Sequence, residues 1–496
     1  MRHPDRVAVR IPTLDSGGYE LSYAELLLAA RTGARHLARL SSPGGSVAVL
    51  GANSLGWIRT LFSVALAGRR VVPINPSLTP AEIEGLLLDC EAQVLITASD
   101  FRGRSLLHEA LELSPRVPSL EHVLELESWI GQPEGCDGPD VEVDPDSIFL
   151  VQYTSGTTGR PKGAMLTHRG CVTSALTMSE ALLPVEHEIW VSPMPLHHVG
   201  ASVAHAVALC GIGGTYVMLT AFDPHLLVHA ANESDATLIA GVPTVYLGIL
   251  NDPDLRQMAM PSLRVAMLGG ATIPAVLVER IEAHFDAGVT VLYGQSESPA
   301  ITQTALDDDA VLKAQTVGRP LPGREIAIVD PETGCEMSPG EVGELTVRSV
   351  TNMVGYLGNP AETHKVLTAD GWLRTSDLCS RDSDGLVRFH GRLRDVIIRG
   401  GENIYARDVE DAIAQLMGVA QVAVVGVPDA RWGESVAAFV QAVPGAALDP
   451  GQLAEQLRPR LARFKLPARW CVVDELPLTA SGKVQKHLLN IPEEWT

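Results

Sequence analysis

The feature that most limits how this chain can fold is a strict alternation of helix-like and strand-like segments between Leu21 and Ala98. "LSYAELLLAARTGARHLARL" places Ser22 and Glu25 at capping-box spacing and then repeats apolar residues at helical period. "SVAVLGAN" is a short buried strand ending in a turn, and "LGWIRTLFSVALAGRR" is a helix closed by Gly68. "VVPINPS" is the next strand. "TPAEIEGLLLDC" starts a helix with Thr79 as N-cap and Pro80 at its first position, and "AQVLITA" is again a strand. Strands joined through helices end up parallel, so this order predicts a largely parallel sheet covered by helices.

The Gly-, Pro- and acid-rich residues 131–146 read as a surface connection, after which the alternation resumes. From about residue 317 the texture changes to short strands with Gly/Pro turns, the mark of a small β subdomain. Near 392 it changes again. "DVIIRGGENIYARDVEDAIAQLMGVAQVAVVGVPD" reads as a strand, a Gly-rich loop, a helix and a strand. The tail adds a helix from Leu453, the strand "ARWCVVDEL" and an exposed loop "PLTASGKVQK". Arg458 to Lys465 alternate with apolar residues like one face of a helix. The expected fold is α/β. A large N-terminal domain of stacked α/β sheets with a small β subdomain spans 1–391, a hinge lies at 392–395, and a small mobile α+β domain fills 396–496.

Composition removes several classes of function. The 496 residues suffice for two or more full cores, and 46% hydrophobic with 20% charged residues is a globular balance. A net charge of −21 repels phosphate backbones, so nucleic acid is not an expected partner. No run of 18 apolar residues suggests a membrane span, and the N-terminus has no signal-peptide core. Seven scattered cysteines with no CxxC pair fit reduced thiols and a cytoplasmic location.

"YTSGTTGRPKGAMLTH", Tyr153 to His168, is the densest functional signal. Gly156, Gly159 and Gly163 permit close backbone approach. Thr154, Ser155, Thr157 and Thr158 supply hydroxyls, and Lys162 a positive charge. Main-chain N–H groups in such a turn can form an anion-binding concavity. It is not a P-loop, and composition alone leaves a phosphate grip and a mobile surface turn both open.

The order of residues in that loop resembles the signature of the adenylate-forming (AMP-binding) enzymes: acyl-CoA synthetases, peptide-synthetase adenylation domains and luciferases. Seven further segments match in order: "PMPLHH" at 193–198, "LGGA" at 268–271, "LYGQSES" at 292–298, "VGYLGNPAET" at 354–363, "GWLRTSDL" at 371–378, "GRLRDVIIRGGENIYARDVE" at 391–410 and "LTASGKVQK" at 478–486. The texture is closest to bacterial medium- and long-chain fatty acyl-CoA ligases.

The resemblance implies a two-step reaction using ATP, Mg²⁺ and coenzyme A on a small-molecule carboxylate. It puts Lys483 between the carboxylate and the α-phosphate, and makes Glu297 the Mg²⁺ ligand, with Ser296 where threonine is usual. Tyr293, with Gly269, Gly270 and Ala271, would lie near the adenine, and Gly294, Gln295 and Ser296 would also contact ATP, the Ser296 hydroxyl at phosphate. Asp377 would accept hydrogen bonds from both ribose hydroxyls, as a carboxylate's two oxygens allow. Arg392 would reach the same nucleotide, and Arg394 sits at the hinge. Gly400 and Gly401 would line the pantetheine tunnel, the ordinary alternative being a tight hairpin turn. His198 would guard the carboxylate, although the adjacent His197 leaves the register open by one.

Small residues at Gly200, Ala201, Gly211, Gly213 and Gly214 would leave room for an alkyl chain in a pocket around 196–215, 241–246, 269–273 and 295–303. His225 and His229, four apart on a helix, read as a solvated face rather than a metal pair. Alternatives within the family are a biosynthetic enzyme loading a carrier-protein thiol, or one activating a small anion such as nitrite for an amine. A homodimer is left open. A serine hydrolase is a weaker rival, because "GQSES" nearly matches GxSxG but ends in Ser298.

Overall fold

The computed structural model describes residues 3–14, 18–130, 141–154, 161–269, 273–399, 402–429, 431–478, 484–492 and 495, without the side chains of 394, 402, 403 and 487. The local signals hold. Ser22 and Glu25 form a reciprocal capping box at the start of helix Tyr23–Leu40, and Thr79 and Glu82 do the same for Pro80–Asp89. Gly68, at φ +63°, turns the chain after helix Leu55–Leu66.

Among the described residues, four sheets organise the chain. The first has seven strands, in the order Gly355–Tyr356, Lys162–Thr167, Ile148–Thr154, Arg70–Ile74, Ser46–Leu50, Ala92–Thr97, His122–Glu125. Ser46–Leu50 pairs in parallel with both of its neighbours, as the alternation predicts. The second has nine strands and runs from Arg319–Pro320 through Ser298–Gln303, Gly288–Gln295, Val265–Gly269, Leu238–Gly241, Ile189–Ser192 and Thr215–Met218. It ends on the chain's first two strands, Val7–Ile11 and Tyr19–Ser22, with Val9 opposite Tyr216. The start of the chain therefore closes the far edge of the second sheet.

The main core takes side chains from both sheets, such as Val47 and Trp190, and from the helix Leu55–Leu66, whose Trp57, Ile58 and Leu61 are fully buried. Full burial of an Ile58 or a Leu61 is worth about 1.5–3 kcal/mol. An antiparallel sheet of four strands, Glu325–Val329, Gly343–Arg348, Trp372–Arg381 and Val387–Arg392, forms the β subdomain. The last sheet is built from Val396–Arg399, Glu402–Tyr405, Val419–Asp429, Gly433–Ala442 and Arg469–Val473, with its own core around Ile397, Val409 and Val440. The architecture is a large N-terminal sheet domain followed by a smaller C-terminal one.

Two local expectations change. Arg458–Lys465 is not a helix face: the helix Pro450–Leu457 ends just before Pro459, and Arg463–Lys465 form a separate 3-10 turn. Proline in the next turn would cost a backbone hydrogen bond and clash with the preceding one. After Arg399 the chain does not run from a loop straight into a helix. Glu402–Tyr405 folds back antiparallel on Val396–Arg399, with Arg399 opposite Glu402. The strands flanking the glycine pair thus have hairpin register, while Gly400 and Gly401 lie outside the described residues.

Candidate active site

The charged half of the site starts at the neck of the hydroxyl-rich loop. Strands Ile148–Thr154 and Lys162–Thr167 are antiparallel with Thr154 opposite Lys162, which closes the loop. Ser155, Gly156, Thr157, Thr158 and Gly159 lie outside the described residues. The Lys162 Nζ is 2.5 Å from Glu362 Oε2 and 5.3 Å from the centroid of the Tyr356 ring. Glu362 is delivered by the first turn of helix Pro360–Val366, whose N-cap is Asn359. Hydrogen bonds from Lys162 first, then Lys365, hold the Glu362 carboxyl well below the usual carboxylate range, at about 2.

Tyr356 connects this pair to the expected metal ligand. It is buried, it pairs with Ala164, and its hydroxyl donates 2.9 Å to Glu297 Oε1. Burial and then the Glu297 charge push the Tyr356 hydroxyl pKa up, so it stays a donor. Glu297 occupies the turn between strands Gly288–Gln295 and Ser298–Gln303, with Gln295 opposite Ser298. Its carbonyl accepts from Met353 N at 2.7 Å. A part-exposed carboxylate fits Mg²⁺, which takes one or two carboxylates along with phosphate oxygens and water. Gly294 is required by the same turn, since a Cβ there would lie 2.5 Å from Ala300 N. Ser296 is therefore in a β-hairpin, whereas a nucleophile elbow is a strand-to-helix turn, and the hydrolase alternative loses its geometry.

The second half collects the residues expected at the base and ribose. Gly269 lies opposite Leu292, beside Tyr293; Gly270 and Ala271 are outside the described residues. Tyr293 Oη donates 2.6 Å to Asp377 Oδ2. Burial, then the Asp377 charge, raise the Tyr293 pKa well above its ordinary value, so the phenol keeps its proton. Asp377 lies opposite Arg392 across the β subdomain, and Arg392 Nε is 3.6 Å from Asp377 Oδ1. The three side chains thus meet at one point.

Burial distinguishes the two histidines. His197 is 7% exposed, and no described residue bonds its Nε2. Burial, then neighbouring His198, push the His197 pKa down to about 3, so the ring is neutral in ordinary buffers. His198 is part-exposed at the N-cap of the short turn Val199–Ala201, its ring 4.6 Å from that of His197. The segment is pinned by Asn53, whose Nδ2 donates to Met194 O and Leu219 O and whose Oδ1 accepts from Leu196 N.

The glycines expected to open an alkyl pocket mostly do not. A Cβ at Gly211 would lie 2.7 Å from Leu176, and one at Gly214 would lie 2.5 Å from Leu209. Gly213, at φ +73°, caps the helix, and Ala201 is fully buried. Gly200 has nothing within 4 Å of its Cβ position. His225 and His229 face Asp252 and Glu233 at 3.1 and 3.7 Å, and no group of three metal-ligating side chains occurs among the described residues.

The C-terminal helix Ala406–Ala414 faces the end of the β subdomain. Arg407 sits over the Phe389 ring at 5.8 Å, and His390 Nδ1 is 3.8 Å from Asp408. Arg394 falls in the 3-10 turn Leu393–Asp395. Lys483 lies outside the described residues, next to Val484, which pairs with Leu478 in an isolated bridge. Tyr356, Glu362 and Asn53 are residues around the candidate site that sequence reasoning passed over. Two of them, Tyr356 and Glu362, lie within "VGYLGNPAET", a matched segment to which no role was attached.

Residues 1–357 match the family described as AMP-binding enzyme, and 408–483 match the AMP-binding enzyme C-terminal domain. The chain is 33% identical to the putative acyl-CoA synthetase YngI of Bacillus subtilis (strain 168), over 98% of this chain and 94% of that protein. It is 36% identical to a feruloyl-CoA synthase of an Amycolatopsis species, over 97% and 95%. The crystal structure of ATP-bound MatB from Rhodopseudomonas palustris superposes with a TM-score of 0.89 at 28% identity, covering 98% of this chain and 96% of that one.

Proposed function

The chain belongs to the AMP-binding enzyme family, and from that premise we propose which side chains carry which part of its reaction. It is an AMP-forming acid–thiol ligase similar to acyl-CoA synthetases, using ATP, Mg²⁺ and coenzyme A. A carboxylate oxygen bonds to the α-phosphorus of ATP and the bond to pyrophosphate breaks. The thiol sulfur then bonds to the acyl carbonyl carbon, its proton departs, and the bond to AMP breaks.

In this reading Asp377 takes the ribose hydroxyls, and Tyr293 orients that carboxylate through its hydroxyl. Arg392 lies on the other side of the same carboxylate. Lys162 and the hydroxyl-rich loop receive the phosphates, and Glu297, held by Tyr356, would ligate Mg²⁺. When bound, that ion would screen the phosphate charge. His198, the more open of the two histidines, borders the carboxylate. Lys483 supplies the positive charge where two anions must meet. The convergence of Tyr293, Asp377 and Arg392 is the observation that carries the reading.

The substrate class is a fatty or aryl carboxylate, and a reaction consuming ATP and coenzyme A suits the cytoplasm. Residues 1–391 and 396–496 act as two bodies joined at 392–395. One face of the nucleotide must first receive Lys483 and later the pantetheine arm beside Gly400 and Gly401. The smaller body therefore rotates about Arg394 between the two steps. Arg394→Pro, which fixes φ and removes a donor, should slow thioester formation more than acyl-AMP formation.

Pyrophosphate release from a panel of carboxylates plus nitrite, with and without coenzyme A or a carrier-protein thiol, tests the whole reading. No AMP from any acid, with folded protein that binds ATP, overturns it. A carrier thiol outperforming coenzyme A moves the acceptor to a protein partner. Sedimentation of the active enzyme decides between monomer and homodimer.

A further inference from the structure

Asp377 stands on an irregular piece of backbone. In the antiparallel pair Gly343–Arg348 with Trp372–Arg381, Glu344 lies opposite Leu378 and Thr346 opposite Arg374. Between those pairs the single residue Leu345 faces Thr375, Ser376 and Asp377, so the strand bulges at the site. Bulges of this kind re-aim side chains. At its apex Ser376 has φ +58°, a left-handed conformation that disfavours any residue with a Cβ. Such a residue keeps that conformation only where its surroundings impose it.

The surroundings are specific. The Ser376 N–H donates 2.9 Å to Glu344 Oε1. The other oxygen of that carboxylate, Oε2, accepts from Arg374 Nε at 2.7 Å and Nη2 at 2.5 Å. Arg374 is tied in turn to Pro331 O at 2.7 Å. Glu344 is only 1% exposed, a degree of burial at which a carboxylate needs both partners. Thr375 completes the clamp: its Oγ1 donates to Leu345 O at 2.7 Å and accepts from Asp377 N at 3.1 Å.

We propose that Glu344 is a positioning residue for nucleotide selection, its buried carboxylate holding the left-handed Ser376 so that the bulge presents Asp377 to the ribose hydroxyls. The proposal rests on the reading of Asp377 as the ribose acceptor. Without an acceptor at Oε1, Ser376 relaxes toward negative φ and carries the Asp377 carboxylate away from Tyr293 and the ribose. The loss is felt by the 2′- and 3′-hydroxyls and not by the phosphates.

The test compares kcat/KM for ATP, 2′-deoxyATP and 3′-deoxyATP in the full chain with a saturating carboxylate and coenzyme A. Hydrogen bonds to a charged acceptor support a preference for ATP of about tenfold or more over each deoxy analogue. Glu344→Ala should reduce that preference to about threefold or less, mostly through the KM for nucleotide. Glu344→Gln, whose amide carbonyl can still accept from Ser376 while its amide N–H faces Arg374, should fall between. Ser376→Gly placed in either background should restore much of the preference, because glycine takes φ +58° unaided. A general packing defect would not respond to that change.

Thermal melts establish folding, and if the alanine variant does not fold, the glutamine variant carries the comparison. Full preference in a folded Glu344 variant, or a loss that Ser376→Gly does not repair, overturns the proposal. Asp377→Asn separates the two layers. If it abolishes the preference while the Glu344 variants keep it, only the positioning role fails. If it leaves the preference intact, the ribose reading fails first.

Discussion

The two halves of the site are built on opposite plans. At the proposed ribose side, the Asp377 carboxylate is carried by a bulged strand, a left-handed serine and the buried Glu344. Its partners are neighbours in the same antiparallel sheet or on a strand packed beside it. At the proposed phosphate side, Lys162, Glu362, Tyr356 and Glu297 come from three separate segments and touch each other through side-chain ends. Moving the first set would break backbone pairing. The second set also has backbone ties, with Tyr356 opposite Ala164 and Met353 N on Glu297 O, but its Lys162–Glu362 ion pair can be exchanged for another without breaking them. A nucleoside is recognised by fixed geometry, whereas phosphates arrive charged and leave as pyrophosphate. Rigidity suits the first task and replaceable partners the second.

The largest expected effect tests whether the phosphate half needs a charge from outside both sets. Lys483→Ala should slow acyl-AMP formation by about 10²- to 10³-fold, as for loss of one preorganised charge at a transition state. Thioester formation from supplied acyl-AMP should change far less. Equal loss in both half-reactions, measured by single turnover, would mean a folding defect and remove Lys483 from the chemistry.

Next, Asp377→Asn should raise the KM for ATP by about 10- to 100-fold while leaving pyrophosphate affinity in the reverse reaction within about twofold. If both ligands weaken equally, the halves are not separable and the comparison breaks.

Tyr356→Phe removes the donor to Glu297 and nothing else in volume. Hydrogen bonds to charged groups are worth about 1.5–3 kcal/mol at most sites, so an increase of about tenfold in the Mg²⁺ concentration for half-maximal activity is expected. The ATP to 2′-deoxyATP preference should not move. A change in that preference would tie the two halves together.

The smallest effect is at Glu362. Glu362→Gln frees Lys162 from its strongest partner, so the KM for ATP should fall by about two- to threefold. The sign of any pH dependence follows from the depressed carboxyl. Because the folded-state value is about 2, Glu362 is ionised throughout pH 5–8, and the gain should be the same at both ends of that range. The pair's contribution to stability is complete above the ordinary carboxylate value and is lost only as pH falls toward 2. A gain that disappears at pH 5.5 would show that Glu362 had already been protonated, and with it that the phosphate half is less charged than its geometry implies.

Much of this was legible before any coordinates. Capping boxes at Ser22 and Thr79, the turn at Gly68 and the strand–helix alternation are local, with partners within a few residues, so spacing reveals them. The residues that the resemblance assigns to the nucleotide were legible as motifs in fixed order, and of these Asp377 and Tyr293 meet in one group and Glu297 and Lys162, through Tyr356, in another. Pocket-forming glycines were misread because a glycine's composition does not say which way its missing Cβ would point, and at 211 and 214 it points into packed side chains.

Order along the chain determines the parallel part of the first sheet, the β subdomain and the family motifs, because each depends on period, turn chemistry or a short run of obligatory residues. Tertiary structure alone decided that the first two strands close the second sheet against Thr215–Met218, some two hundred residues away. It also decided that Asn53 pins the histidine pair, that Tyr356 bridges Lys162 and Glu297, and that Glu344 holds the turn beneath Asp377. These are contacts between residues far apart in sequence and ordinary in type. A buried glutamate reads in sequence like a solvated one, and only burial beside a strained N–H makes its carboxylate a clamp.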